Sequence, residues 1–179
     1  MTLRTLALFA VVAGLSAAGG VAYQLWSRES GAGSDMDPDA VVERVLGARV
    51  ADVTGATRSL EQWRGQVLVV NYWATWCAPC REEIPGFVRL QERYGSRGLQ
   101  FVGIAIDQPD KVAEFATEFR INYPLLLGGL ETIELLRQAG NRAGVLPYTL
   151  VIDRRGKLVG RERGGLKEAR LETLLLPLL

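Results

Sequence analysis

The chain has 179 residues, a net charge of +1 and a hydrophobic content of 48%, enough for one core and too little for two full-sized domains. No basic cluster stands out, which argues against nucleic acid as a partner. There is no histidine, so the commonest general base and metal ligand is missing, and with it any Ser/His/Asp or Cys/His arrangement.

In chain order, the first feature is a run of 23 uncharged residues from Thr5 to Ser27, between Arg4 and Arg28. As a helix rising about 1.5 Å per residue it reaches roughly 34 Å, enough to cross a bilayer core of about 30 Å. It reads as a retained anchor, because the apolar stretch continues through Val21, Tyr23, Leu25 and Trp26 and ends in interfacial aromatics. The alternative is a cleaved signal peptide, with Ser16-Ala17-Ala18 as the small residues at the cut. Either reading exports the rest of the chain. Residues 1–27 are therefore assigned to a signal-anchor or transmembrane segment. Residues 28–39, with Ser30-Gly31-Ala32-Gly33-Ser34 at their centre, form a flexible linker, and 40–179 a globular domain.

Within that domain, Ala48–Val53 and Ala56–Leu60 predict a small hairpin, followed by a helical turn over Leu60–Arg64. Val67–Trp73 predicts a buried strand, Ala78–Tyr94 a helix and Leu99–Ile106 a second buried strand, together a right-handed βαβ unit. Pro85 lies inside the helix, where it removes a backbone donor and should kink the axis. Asp107 or a neighbour is expected to cap a helix over Pro109–Arg120, with a short strand over Tyr123–Leu127 and a helix over Leu130–Gln138 after it. Thr149–Asp153 and Lys157–Arg161 flank Arg154-Arg155-Gly156 as an antiparallel hairpin. A last helix over Leu166–Leu176 brings the apolar end of the chain back onto the sheet.

Chemistry concentrates in Asn71-Tyr72-Trp73-Ala74-Thr75-Trp76-Cys77-Ala78-Pro79-Cys80, which holds both cysteines of the chain. A C-x-x-C pair serves redox exchange, half of a zinc site or a structural disulfide. Zinc would need further N/S ligands that this chain lacks, and the loop closed by such a disulfide is too short to restrain much of the unfolded chain. Redox exchange is therefore the reading adopted. At the strand-to-helix turn Cys77 faces unpaired backbone N–H groups and the positive end of the helix dipole, which favour thiolate and mark it as the nucleophile. A helix N-terminus supplies up to about 2 kcal/mol, which takes a free thiol from about 8.5 to about 7, a value suited to a reductase rather than a strong oxidant.

Three stretches, "VNYWATWCAPCREEIP", "GVLPYTLVIDRRGKLV" and the extra helix and strand near Val112–Leu127, resemble the TlpA/ResA-like thiol-disulfide oxidoreductases of the thioredoxin superfamily. The resemblance covers about Ala48 to Gly164. It implies a thioredoxin-like α/β fold: a central mixed β-sheet flanked by helices, an N-terminal hairpin and a central helix-strand insertion, here behind an N-terminal transmembrane helix. It also implies that Cys77 attacks, that Cys80 resolves, and that Leu146-Pro147 is a cis peptide bond facing them, where an extended substrate pairs with the Leu146 backbone. Without it, Pro147 is an ordinary strand-start proline.

Thioredoxin has a buried aspartate six residues before the first cysteine, where this chain has Asn71. An asparagine cannot take the Cys80 proton, so Glu83, in the family's Glu-x-Pro pattern, becomes the candidate. The alternative is that Glu82 and Glu83 only solvate the helix and complement its dipole. Trp76 is expected to shield the sulfurs and offer an apolar surface to a partner. Tyr72 and Trp73 are expected in the core, and Arg81 either near the thiolate or in solvent. No cofactor and no metal are called for.

The partners implied are protein disulfides, reduced by a monomeric protein in the periplasm at the bacterial inner membrane, or secreted if the leader is cut. A membrane thiol transporter as electron donor and a role in cytochrome c maturation are also implied by the resemblance. A thiol peroxidase shares the fold but would carry threonine within Pro-x-x-x-Thr-x-x-Cys, where position 74 is alanine. A disulfide-forming oxidant is the other alternative.

Overall fold

The computed structural model describes Gly20 and residues 36–179, of which Met36–Leu179 form a domain. It opens with helix α1 (Pro38–Gly47), which the sequence pattern did not announce. Asp37 caps it by accepting from the Asp39 N–H at 2.9 Å, and Pro38 occupies the first turn, where its missing N–H is not needed. The compact unit that begins at Met36 therefore includes this helix.

Strands β1 (Arg49–Asp52) and β2 (Thr57–Ser59) form the expected hairpin, and a 3₁₀ turn over Leu60–Trp63 leads to β3 (Val67–Trp73). Helix α2 (Ala78–Tyr94) runs unbroken across Pro85 to β4 (Leu99–Ala105), parallel to β3. Helix α3 (Pro109–Glu118) and strand β5 (Leu125–Leu127) are the central insertion, and α4 (Leu130–Gln138) comes next. Strands β6 (Tyr148–Ile152) and β7 (Leu158–Arg163) make the late hairpin, and α5 (Glu168–Leu175) ends the fold. The sheet is mixed, in the order β2-β1-β5-β4-β3-β6-β7.

Alternation along β3 divides the core between the two faces. Val67, Val69 and Trp73 join Ile84, Phe87 and Leu90 of α2 with Phe115 of α3 and Leu171 and Leu175 of α5. Leu68, Val70 and Tyr72 face the other way, toward Val41, Val42 and Val45 of α1 and Leu136 of α4. Every residue of β3 is consequently buried, as a central strand covered on both faces should be. Leu178 and Leu179 pack against the first cluster, so the apolar end does return to the core. Trp63 packs against the second.

The N-cap position of α3 falls to the neighbour of Asp107. Gln108 occupies the N-cap of α3 and makes no side-chain cap bond. The Asp107 carboxylate turns back instead, accepting from the Thr75 backbone N–H at 3.0 Å and the Thr75 hydroxyl at 2.5 Å. Among the described residues no helix is long and apolar enough to cross a membrane. Apart from Gly20, the anchor expected over 1–27 lies outside the described residues, as does the centre of the expected linker.

Candidate active site

The site forms where β3 stops. The Trp73 carbonyl still accepts from Ile106 N–H at 2.8 Å, and the Ala74 carbonyl then accepts from Cys77 N–H at 3.2 Å, turning the chain. Cys77 is the N-cap residue of α2 in extended conformation, and Pro79 stands in the first turn. Its sulfur thus starts at the end of a 17-residue helix, where backbone N–H groups have no partner within the helix. Cys77 and Cys80 are joined in a disulfide with Cα atoms 5.3 Å apart. Cys80 is fully buried, whereas Cys77 keeps 5% of its surface exposed.

The register of the central strands brings the late loop to the same place. Tyr72 pairs with Tyr148 and Asn71 with Thr149, so Pro147 enters β6 beside the end of β3 that leads to Cys77. Leu146-Pro147 is a cis peptide bond, as the resemblance implied. Leu146 packs against the cluster that contains both cysteines. Trp76, next to Cys77 in the chain, is 69% exposed, and Val145, next to Leu146, is 46% exposed. Tyr72 and Trp73 are buried, as expected.

Glu83 and Glu82 behave oppositely. Glu82 is exposed, as a solvating residue should be. Glu83 is buried and lies three residues beyond Cys80, on the same side of the helix. Its Oε1 accepts from Asn71 Nδ2 at 2.8 Å, and its Oε2 accepts from the Leu166 backbone N–H at 2.8 Å. Burial pushes its carboxyl up to about 7, and the two hydrogen bonds hold it from rising further. The same Asn71 Nδ2 also donates to Thr149 Oγ1 at 3.0 Å, tying β6 to the carboxyl. Asn71 Oδ1 is a buried acceptor without a hydrogen-bond partner in the structure.

Arg81 stacks over the Phe115 and Phe119 rings, 5.2 Å from each centroid, and its Nη1 reaches the Thr75 carbonyl at 3.4 Å. It is held on the insertion rather than left loose in solvent. Sequence reasoning missed Thr149, Leu166 and the Asp107–Thr75 bond. The Leu166 contact is made by a backbone N–H, which no side-chain pattern announces.

A disulfide at a helix N-terminus, flanked by a cis proline on the neighbouring strand of a thioredoxin-like sheet, defines the class: a thiol-disulfide oxidoreductase acting on protein disulfides. The AhpC/TSA family matches residues 39–161, more than half of the chain, and the chain belongs to that family. The thiol-disulfide oxidoreductase ResA of Geobacillus thermodenitrificans is 30% identical over 110 residues, covering 61% of this chain and 61% of that protein. ResA of Bacillus anthracis is 27% identical over 169 residues, covering 94% of each. The crystal structure of a thioredoxin-family thiol:disulfide interchange protein from Chlorobium tepidum superposes with a TM-score of 0.65 at 31% identity, covering 75% of this chain and 97% of that one.

Proposed function

We propose that the protein is an exported, membrane-tethered protein-disulfide reductase that works as a monomer, with Cys77 as attacking thiol, Cys80 as resolving thiol and Glu83 as proton acceptor. The observation that carries this reading is the pairing of Cys77 at a helix tip, 5% exposed, with a fully buried Cys80 one turn from a buried carboxyl. The Cys77 thiolate attacks a substrate disulfide and expels one substrate thiolate, leaving a mixed disulfide. Cys80 gives its proton to Glu83 and attacks Cys77 Sγ; the second substrate thiolate leaves, and the Cys77–Cys80 bond closes. Trp76, Leu146 and Pro147 position the substrate, whose extended backbone pairs at Leu146. No cofactor enters the cycle.

The uncharged run from Thr5 to Ser27 supports the tether and a periplasmic domain. An exported reductase needs electrons from across the membrane, which supports a membrane thiol protein as donor, and the resemblance carried by the cysteine and cis-proline stretches is the ground for a place in cytochrome c maturation. The deciding measurement is the reduction potential of the Cys77–Cys80 pair. A value well below that of the oxidising machinery supports reduction, whereas one near about −120 mV, the range of a strong periplasmic oxidant, reverses the direction.

A further inference from the structure

A partner joined to Cys77 would cover the face on which that residue is exposed, so resolution with the partner still bound calls for a proton route on another flank. Glu83 has a second flank. A cleft of about 350 Å³ lies between the first turns of α2 and the loop that precedes α5. Glu83 forms part of its wall with Pro79, Gly165 and Leu166, and neither cysteine lines it. At about 30 Å³ per molecule it has room for several waters.

We propose that this cleft is the proton port of the redox site: Glu83 takes the Cys80 proton on its core side and passes it to water in the cleft while a partner still covers Cys77. The proposal rests on Glu83 being the proton acceptor. Cys80 loses a proton and Glu83 gains it; the Cys77–Cys80 bond forms as the bond from Cys77 to the partner breaks; Glu83 then returns the proton to solvent, and the departing partner thiolate draws one from solvent.

The orientation of the carboxyl carries the argument. Oε1 is held by Asn71, which spans to Thr149, on the strand side. Oε2 is held by the Leu166 N–H, which belongs to the cleft wall. The carboxyl therefore bridges the redox core and the cleft. Glu82, Arg89, Lys167 and Glu168 face the cleft, with Arg89 paired to Glu168 at 2.6 Å. From the core side the other titratable group is Tyr123, whose hydroxyl is kept protonated first by burial and then by the Glu83 charge. Gly165 decides how wide the gap stays, since a Cβ there would sit in ordinary contact, 3.4 Å from Pro79 Cβ.

The test is a pair of substitutions, Gly165→Ala and Gly165→Leu, in the full chain. The two steps are followed separately by stopped flow across pH 5–9, with a peptide disulfide as substrate. Drying the cleft raises the Glu83 pKa. The resolving step then loses rate below neutrality, about tenfold for leucine if the pKa moves one unit, and less for alanine. The initial attack by Cys77 stays unchanged. An unshifted pH midpoint in the alanine variant and in any leucine variant that folds overturns the port. If Glu83→Gln keeps the wild-type pH profile of the resolving step, the proton-acceptor reading itself fails; if it flattens that profile while the Gly165 variants do nothing, only the port is lost.

Discussion

Replacing Glu83 by glutamine should flatten the dependence of stability on pH in the window where the native carboxyl titrates. The unfolded chain ionises this group near 4.5, whereas burial holds the native group up to about 7. Below pH 4.5 both states carry the proton. As pH rises the unfolded state ionises first, so stability from this group is lost through the interval and is gone above about 7. A displacement of that size corresponds to a loss on the order of 3 kcal/mol. Glutamine cannot ionise and contributes no such slope. It must also face either Asn71 Nδ2 or the Leu166 N–H with its own NH₂, but that offset is the same at every pH and cancels in the comparison. The assay is denaturant unfolding of the oxidised protein at half-unit steps from pH 4.5 to 8, with wild type and Glu83→Gln side by side. Parallel curves through that window refute the claim that burial raises this carboxyl.

Trp76→Ala should leave unfolding free energy within about 0.5 kcal/mol, because the ring is exposed, yet raise KM for a protein disulfide several-fold while exchange with a small dithiol is unaffected. Asp107→Ala should cost about 1.5–3 kcal/mol in chemical denaturation, the range for hydrogen bonds to a charged group, because Thr75 loses its acceptor. Burial alone would raise the Asp107 carboxyl, but Thr75, Gln108 and the Lys111 charge hold it low. That contribution is present at neutral pH and is lost as acid protonates the native group, so the deficit of the variant should shrink at low pH. Gly103→Ala should destabilise by about 1–3 kcal/mol in a melting experiment, since its Cβ would lie 2.6 Å from Leu125 Cδ2 and 2.9 Å from Trp73 Nε1. Hydrogen peroxide added to reduced protein should be consumed slowly and without saturation, because the buried Ala74 offers no hydroxyl to orient it; fast saturable turnover would favour a thiol peroxidase.

The central unit was legible because its signals are local and agree. An apolar run, a C-x-x-C with proline and a 3.6-residue repeat set β3, Cys77 and α2 without any knowledge of the partner strands. Asn71 was legible as a departure, and Glu83 as the carboxyl left to answer it. That Glu83 is buried while its neighbour Glu82 is exposed depends on helix rotation and on a loop 83 residues away, and only packing reveals it. Helix α1 was missed because the Gly/Ser/Asp composition before it extended the apparent linker. Asp37-Pro38, a capping residue with a first-turn proline after it, was the start signal available. The sequence left the cap of α3 open between Asp107 and a neighbour, because the choice depends on the turn that ends β3: Thr75 takes one Asp107 oxygen, the Gln108 N–H takes the other, and Gln108 holds the N-cap position.

The stacking of Arg81 on Phe115 and Phe119 separates electrochemistry from the redox dipeptides. The guanidinium stands one helical turn past Cys77, and the rings of the inserted helix fix how far its field extends toward the sulfur. Trimming a ring removes one of the holds on that cation and leaves the Thr75 carbonyl and Glu118 to place it, so the midpoint voltage of the couple can be retuned from α3 with the Cys-Ala-Pro-Cys sequence left intact. Relatives with identical motifs but different aromatic content in the insertion should accordingly sit at different voltages.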